Sequence, residues 1–281
     1  MAGTLNSGGL RASLCMMASV ELGIDSARIR PLIADTASLG YNFLTGGSRS
    51  TFSGGIAVID AAKQVIEQAC ARAAQLWELP RDAVTYEDGM VKPAGDNAGK
   101  HKPLSLTDIG RLAGKTGGPI VGNASINAHG AAPSFGTHIA DVEVDPETGR
   151  VSITRYTVIQ DAGKAVHPAY VEGQYQGGAA QGIGWALNEE YIYGEDGRLQ
   201  NPGFLDYRIP VASDLPMIDT VIIEVPNPRH PYGVRGVGET PIVPPLAAVA
   251  NAVARATGVR MDALPISPPR LLAALQQNGA A

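Results

Sequence analysis

Apolar residues recur at helical spacing, every three or four positions, in several parts of the chain. Leu14, Met17, Ala18 and Leu22 lie on one face of such a pattern. The predicted helices cover residues 10–24, about 57–76, 103–113, 167–190 and 245–257, and Gly258 follows the last of them as a C-cap. The glycines within 167–190 predict a helix that packs closely against another stretch of backbone.

Alternating apolar and polar residues between turn signals predict the strands. Asp88-Gly89 is typical of a two-residue hairpin turn, and "DPETG" (145–149) marks a second hairpin. We expect a third hairpin over 191–203, a strand at 27–36 and a buried strand at 217–226. Since short hairpins dominate the pairing, the pattern predicts an α+β fold with mixed sheets, hairpins and packed helices, rather than a doubly wound sheet.

The composition shifts towards Gly, Ala, Ser and Asn near residues 119–134. A shift of this kind is typical of a domain boundary. We therefore expect two subdomains, residues 1–122 and 123–281. Residues 37–55 read as a loop before the helix at 57–76.

Composition and charge narrow the class of protein. The chain is 44% hydrophobic, so it can bury a core, and its net charge of -5 without a Lys/Arg cluster argues against a nucleic-acid partner. No apolar run reaches the ~18 residues that a membrane span needs, and no signal peptide is visible. We expect a soluble, cytoplasmic protein.

The sequence offers few metal ligands. Cys15 and Cys70 form no C-x-x-C motif, so we expect no iron–sulfur cluster or structural zinc on this chain and place both cysteines in the core. The five histidines are scattered without H-x-x-x-H spacing. No G-x-S-x-G elbow is present either, so a Ser-His-Asp triad has no support.

Glu239 ends the glycine-rich stretch "YGVRGVGETPIVPP" and precedes a helix. The glycine spacing differs from the G-x-G-x-x-G of dinucleotide sites. A helix N-terminus stabilises a charged carboxylate, whereas burial favours the neutral acid, so an acid exposed to both influences is a candidate general base. The alternative is that Glu239 is an ordinary capping acid.

Two further stretches are candidates for binding. "LTGGSRST" (44–51) combines glycines, hydroxyls and Arg49, a composition that suits a phosphate or diphosphate; the alternative is a plain turn with Arg49 in a surface ion pair. "GQYQGGAAQGIG" places Gln174, Gln176 and Gln181 on one helix. Their amides suit the edge of a heterocycle, or alternatively contacts with a neighbouring element.

Taken in order, these motifs resemble the C-terminal part of the molybdenum-binding subunit of the xanthine dehydrogenase / aldehyde oxidoreductase family. The resemblance covers nearly the whole chain. It rests on "GGSRST", "GTHIADVEVDPETGRVSI" with "QDAGKAVHP", "EGQYQGGAAQGIGWALNEE", "DYRIPVASDLP" and "RGVGETPIVPP". It implies a molybdopterin-binding domain.

The resemblance also implies roles for individual residues. Glu239 matches the glutamate that serves as base at the metal when water-derived oxygen is transferred to an N-heterocycle or aldehyde. Cofactor contacts are implied for the residues of three segments: Gly47, Ser48, Arg49 and Ser50; Gly236, Val237 and Gly238; and Gln181. No metal ligand is implied on this chain.

The implied cofactor is molybdenum with molybdopterin, expected as the cytosine dinucleotide. Electrons would leave through iron–sulfur clusters and FAD on partner chains. The family's earlier segments, of the G-G-x-F-G and R-G-F/Y-G type, are not found, so we expect the other half of the molybdenum-binding subunit, an iron–sulfur subunit and a flavin subunit as partners. The alternative function is a non-catalytic domain or assembly module without cofactor.

Overall fold

The chain forms two compact units. The computed structural model describes residues 9–33, 35, 37, 44–127 and 132–279. One unit comprises Met1–Thr45 and Arg49–Ala131, and the other comprises Gly46–Ser48 and Ala132–Ala281. The second unit therefore takes three residues from the loop that precedes the longest helix. The boundary expected between residues 122 and 123 stays a prediction.

The first unit combines four helices with a small antiparallel sheet in its described part. The elements are α1 (Leu10–Leu22), α2 (Ser50–Trp77), β1 (Val84–Glu87), β2 (Met90–Pro93), β3 (Leu104–Ser105), α3 (Leu106–Arg111) and α4 (Ala113–Thr116). Small residues of α2, including Ala69, Cys70 and Ala73, let the sheet residues Val84 and Val91 approach the helix closely and form a buried core. Cys70 is thus in the core as expected, whereas Cys15 is only half-buried.

Local sequence signals set several features of this unit. Asp88 and Gly89 form the β1–β2 turn with left-handed φ values of 53° and 74°. Ser105 and Asp108 form a capping box that starts α3. Both features confirm the predicted hairpin and short helix.

Two predictions for this unit are wrong. α2 begins at Ser50 rather than near residue 57, because Gly54 and Gly55 are buried, and tertiary packing outweighs their low helix propensity. The strand expected at 27–36 is absent from the described residues of that range. Ser26–Arg28 instead form a 3₁₀ turn, which the Asp25 carboxylate starts by accepting a hydrogen bond from the Ala27 N–H.

In its described residues, the second unit packs three helices and a three-stranded sheet around its own core. The elements are β4 (Gly136–Val144), β5 (Val151–Asp161), α5 (Pro168–Leu187), β6 (Ile218–Ile223), α6 (Pro244–Thr257) and α7 (Pro268–Gln277). β4 and β5 form the predicted hairpin, and β6 pairs with β5 in parallel. Gly258 ends α6 with a φ of 75°, as predicted. Together with the first unit, this arrangement confirms the α+β fold.

Two strand predictions need correction here. β6 is an edge strand, so Val221 and Ile223 are 44% and 42% exposed rather than buried. The hairpin expected over 191–203 reduces to one bridge between Tyr193 and Leu199. Backbone hydrogen bonds from Gly194 to Arg198 and from Gln200 to Ile192 flank that bridge, and the Asn201 side chain adds two more, so the predicted hairpin is present but short.

Candidate active site

Glu239 lies in the second unit, immediately before a 3₁₀ turn over Thr240–Ile242. Its side chain makes no capping hydrogen bond to that turn, and α6 begins five residues later, at Pro244. The residue is exposed. The interpretation of Glu239 as a capping acid is therefore wrong, and the burial assumed for it is not found in this chain.

Ser48 holds Glu239 from a position 191 residues away. The Glu239 N–H donates to Ser48 Oγ at 2.8 Å, and the Ser48 hydroxyl donates to Glu239 Oε2 at 3.3 Å. This reciprocal pair fixes both the backbone and the carboxylate of the glutamate. Within the described part of the chain Oε1 accepts no hydrogen bond, so it is the oxygen that we expect to accept a proton.

The glycines next to Glu239 make room for Ser48. A Cβ built at Gly236 would lie 2.8 Å from Ser48 Cβ, and one at Gly238 would lie 3.5 Å from Ser48 Oγ. Ser48 itself has a φ of 54°, an unusual value for a residue with a side chain. A larger residue at position 236 would push the serine away from the carboxylate.

Helix α5 supports the glutamate from the other side. A Cβ at Gly178 would lie 2.4 Å from Pro241 Cγ, and one at Gly182 would lie 2.6 Å from the Ile242 carbonyl oxygen. The 3₁₀ turn that follows Glu239 thus packs directly on the helix backbone. This contact confirms the close packing that the glycines of the helix predicted.

A buried ion pair anchors the start of the glutamate loop, which we define as residues 225–239. Arg235 Nε lies 2.9 Å from Asp161 Oδ2, and these side chains are only 12% and 10% exposed. The other carboxylate oxygen of Asp161 accepts hydrogen bonds from the N–H groups of Gly163 and Val225. Sequence reasoning missed this anchor, although Asp161 and Gly163 belong to the D-x-G motif of "QDAGKAVHP".

Tyr175 ties α5 to β5 behind the loop. Its hydroxyl donates to the Gln160 carbonyl oxygen at 3.0 Å in a buried setting. Burial, assisted by the charge of Asp161, raises the pKa of Tyr175, so the hydroxyl remains a donor at physiological pH. The helix that carries Gly178 and Gly182 is thereby fixed to the sheet.

The other predicted site residues lie beside the Ser48–Glu239 pair, at the start of α2 and, as described next, on α5. Gly47, with a φ of 66°, and Val237, which packs on the core, flank the Ser48–Glu239 pair along the chain. Arg49 and Ser50 belong to the first unit, where they begin α2.

Gln181 lies exposed on α5, and its side chain makes no hydrogen bond among the described residues. Gln174, two helical turns earlier on the same face, is the glutamine beside the loop: a Cβ at Gly238 would lie 3.4 Å from its Oε1. Gln176 instead donates to the Ile218 carbonyl oxygen. Sequence reasoning grouped these glutamines but singled out Gln181. Their spacing of seven residues was the signal that Gln174 and Gln181 share a face.

Unpaired N–H groups mark the two segments that meet at the Ser48–Glu239 pair. Within the described part of the chain, the N–H groups of Gly47, Ser48, Val237 and Gly238 donate to no protein acceptor. A Cβ at Gly47 would meet nothing within 4 Å, so that side of the loop is open. Clustered backbone donors of this kind suit an anionic group.

Comparison with known proteins finds a family model and several relatives that match the chain. The family model for the molybdopterin cofactor-binding domain matches residues 1–216. The xanthine dehydrogenase molybdenum-binding subunit of Escherichia coli O157:H7 is 39% identical over 172 residues, which are 60% of this chain and 23% of that protein. The 6-hydroxypseudooxynicotine dehydrogenase complex subunit gamma of Paenarthrobacter nicotinovorans is 31% identical over 95% of this chain and 34% of its own length.

A solved structure agrees with these relatives. A chain of quinoline 2-oxidoreductase from Pseudomonas putida 86 superposes with a TM-score of 0.83 at 29% identity, over 98% of this chain and 36% of that one. The fold and the family match thus define a molybdopterin cofactor-binding domain. The chain belongs to the molybdenum-binding subunits of the xanthine dehydrogenase family. It spans about a quarter to a third of the length of the relatives it matches.

Two features of the described residues bear on the remaining expectations. None of the helices formed by residues 9–33, 44–127 and 132–279 is long and apolar enough to cross a membrane. The same residues contain no group of three His, Cys, Asp or Glu side chains that would hold a metal ion.

Proposed function

We propose that this chain forms the C-terminal, cofactor-holding part of a molybdenum hydroxylase, with Glu239 as the general base. The observation that carries the proposal is the reciprocal hydrogen bonding of Ser48 and Glu239 at the meeting point of two segments with unpaired N–H groups. A carboxylate held in a fixed position is what proton abstraction requires.

The residues present fit a pterin cofactor with phosphate groups. The open side of Gly47 and the unpaired N–H groups of Gly47, Ser48, Val237 and Gly238 supply donors for an anionic ligand. Arg49, Ser50 and Gln181 complete the proposed binding set, which we infer to hold the cytosine dinucleotide form. When bound, the cofactor supplies the two-electron oxidation chemistry that protein side chains cannot provide.

The residues of this chain then have separable tasks. Ser48 orients the Glu239 carboxylate through Oε2, which leaves Oε1 to accept a proton from the reacting water-derived group. Gly236 keeps the space that Ser48 needs, and α5 fixes the turn behind the glutamate. Positioning of this kind raises the rate because the base needs no reorganisation during the reaction.

Substrate class and partners follow from the relatives only as proposals. The name of the Pseudomonas putida relative refers to quinoline, a nitrogen heterocycle, which supports an N-heterocycle as substrate, with an aldehyde as the alternative. The Paenarthrobacter relative is a subunit of a complex, which supports partner chains that carry the iron–sulfur clusters and FAD. The remaining part of the molybdenum-binding subunit completes this set.

The test is the complex purified from its native source through a tag on this chain. We expect molybdenum and a cytosine nucleotide released on acid hydrolysis. Replacing Glu239 with Gln should lower turnover per bound molybdenum by about 10²- to 10⁴-fold, since proton transfer by a positioned base contributes that much. Glu143→Gln, at an exposed position of β4, is the matched control and should retain full activity. Near-normal turnover in Glu239→Gln, or a complex without molybdenum, would contradict the proposal; the latter would favour a non-catalytic module.

A further inference from the structure

One loop of the second unit exposes large apolar side chains over its whole length. We define the 189–211 loop as the segment between α5 and the 3₁₀ turn Ala212–Asp214. Phe204 and Leu205 are fully exposed. The exposed large apolar side chains of this loop are Tyr191, Ile192, Tyr193, Phe204, Leu205, Ile209 and Val211. Surface loops are ordinarily polar, so this composition needs an explanation.

The exposure belongs to a fixed structure. The buried side chain of Asn201 accepts from the Ile192 N–H at 3.0 Å and donates to the Glu190 carbonyl oxygen at 2.7 Å. The Tyr207 hydroxyl donates to Glu189 Oε2 at 2.9 Å, and the rings of Tyr191 and Tyr207 lie 5.4 Å apart. The loop is therefore cross-linked by its own polar groups while its apolar groups face outwards.

The loop is also anchored to the body of the second unit. Arg270, on α7, donates to a Glu190 carboxylate oxygen and to the Pro265 carbonyl oxygen. A Cβ at Gly184 would lie 2.1 Å from a Glu189 carboxylate oxygen and 2.8 Å from Pro210 Cδ, so both ends of the loop pack on α5. The apolar groups are thus presented from a rigid base, as in a preorganised interface.

Charged residues lie at the ends of the loop, in its distal turn and, at Asp206, directly after Leu205. Asp196 pairs with Arg198 in the turn, and Arg208 pairs with Asp214 beyond the fully exposed Phe204 and Leu205. An apolar centre with a charged surround is the composition of a protein–protein interface. Each large apolar side chain left in water forgoes ~1.5–3 kcal/mol of burial, so several of them on one loop are typical of a contact surface.

We propose that the 189–211 loop is the surface on which the remaining part of the molybdenum-binding subunit packs. This proposal rests on the proposed function. The match to quinoline 2-oxidoreductase covers 98% of this chain but only 36% of that one, so most of such a subunit lies outside the matched region. Obligate interfaces are larger and more apolar than transient ones, and the remaining part of a subunit is an obligate partner. The aromatic and aliphatic loop fits the first kind.

Site-specific cross-linking in the native complex tests this surface. Phe204 is replaced by the photoreactive residue p-benzoylphenylalanine in the tagged chain, the complex is irradiated, and cross-linked peptides are identified by mass spectrometry. We expect cross-links to a segment that matches the part of molybdenum-binding subunits outside this chain's own match. The same replacement at Val20, which is 67% exposed in the first unit, is the control for non-specific labelling.

A second measurement uses the variant Phe204→Ser/Leu205→Ser. Because both side chains are fully exposed, the purified chain should keep its melting temperature, while recovery of the partner segment on the tagged chain should fall at least tenfold. Val20→Ser should leave recovery unchanged.

The outcomes separate this proposal from the proposed function. Cross-links to an iron–sulfur chain, a flavin chain or a second copy of this chain, in a complex that contains molybdenum, overturn the surface and leave the function standing. An intact complex without any cross-link at position 204 also overturns the surface. Protein from the native source that lacks both molybdenum and such a partner contradicts both.

Discussion

Two loops of the second unit differ in which side chains they bury and which they expose. The glutamate loop, 225–239, is held entirely by its own chain: a buried ion pair at Arg235, the Ser48 hydroxyl at Glu239 and the backbone of α5 behind them. The 189–211 loop is equally well connected internally through Asn201 and Tyr207, yet it leaves its apolar side chains in water.

The difference separates what this chain completes alone from what it contributes to an assembly. The glutamate loop buries its anchors and exposes one reactive carboxylate, which is the arrangement of a preorganised catalytic group. The 189–211 loop buries its polar connections and exposes apolar surface, which is the arrangement of an interface. Substitution of an anchor of the glutamate loop should therefore lower the stability of the chain, whereas substitution of exposed side chains in the 189–211 loop should affect assembly more than stability.

Removal of the buried cation should give the largest effect. Arg235→Met leaves Asp161 uncompensated in a site where both side chains are about 90% buried, so the free energy of unfolding should fall by about 3–5 kcal/mol. Arg198→Met breaks an exposed pair of the 189–211 loop and should cost less than about 1 kcal/mol. Urea denaturation of the two purified variants makes the comparison; equal losses would show that the loops are held alike.

A methyl group on α5 should give an intermediate effect. In Gly182→Ala the new Cβ would lie 2.6 Å from the Ile242 carbonyl oxygen and 2.7 Å from Pro245 Cγ, which should destabilise the chain by about 1–3 kcal/mol and displace the turn after Glu239. Gly177→Ala lies on the same helix with nothing within 4 Å of its Cβ. That control should gain about 0.5–1 kcal/mol, since alanine favours the helix. If Gly182→Ala is as stable as the unchanged chain, the claim that α5 fixes the turn after Glu239 is wrong.

The smallest expected effect is a loss of stability that is confined to high pH. Burial, then hydrogen bonding and the charge of Glu189, raise the pKa of Tyr207 to about 12. An unfolded tyrosine ionises near pH 10, so this contribution to stability is complete below about pH 10 and is lost as pH rises towards 12. An absorbance titration at 295 nm should show a step near pH 12 that Tyr207→Phe removes; a step unchanged in that variant would show that Tyr207 is not the group.

Much of the fold follows from local chemistry in the sequence. The Asp88-Gly89 turn, the capping box at Ser105 and the end of α6 at Gly258 each depend on neighbouring residues, and each was predictable. The predicted α2 was too short, because the burial of Gly54 and Gly55 is a tertiary effect that decides where the helix begins. β6 was expected to be buried because its apolar run does not reveal that it lies at the edge of the sheet.

The site was predictable in its residues but not in its connections. The sequence and the family resemblance singled out both Ser48 and Glu239, yet nothing local indicates that a serine bonds a glutamate 191 residues later. The same holds for Arg235 and Asp161, whose pairing depends on the register of β5 and the course of the glutamate loop. The glycines were expected to make room for a cofactor, and within this chain Gly236 makes room for Ser48.

The central claim is that Ser48 acts on the reaction through Glu239. A double-mutant cycle of Ser48→Ala and Glu239→Gln, with turnover expressed per bound molybdenum, tests it most directly. Ser48→Ala alone should lower turnover roughly 10- to 100-fold, which corresponds to the loss of one hydrogen bond to a charged group. In the Glu239→Gln background the same change should have no further effect. Equal losses from Ser48→Ala in both backgrounds would contradict the account.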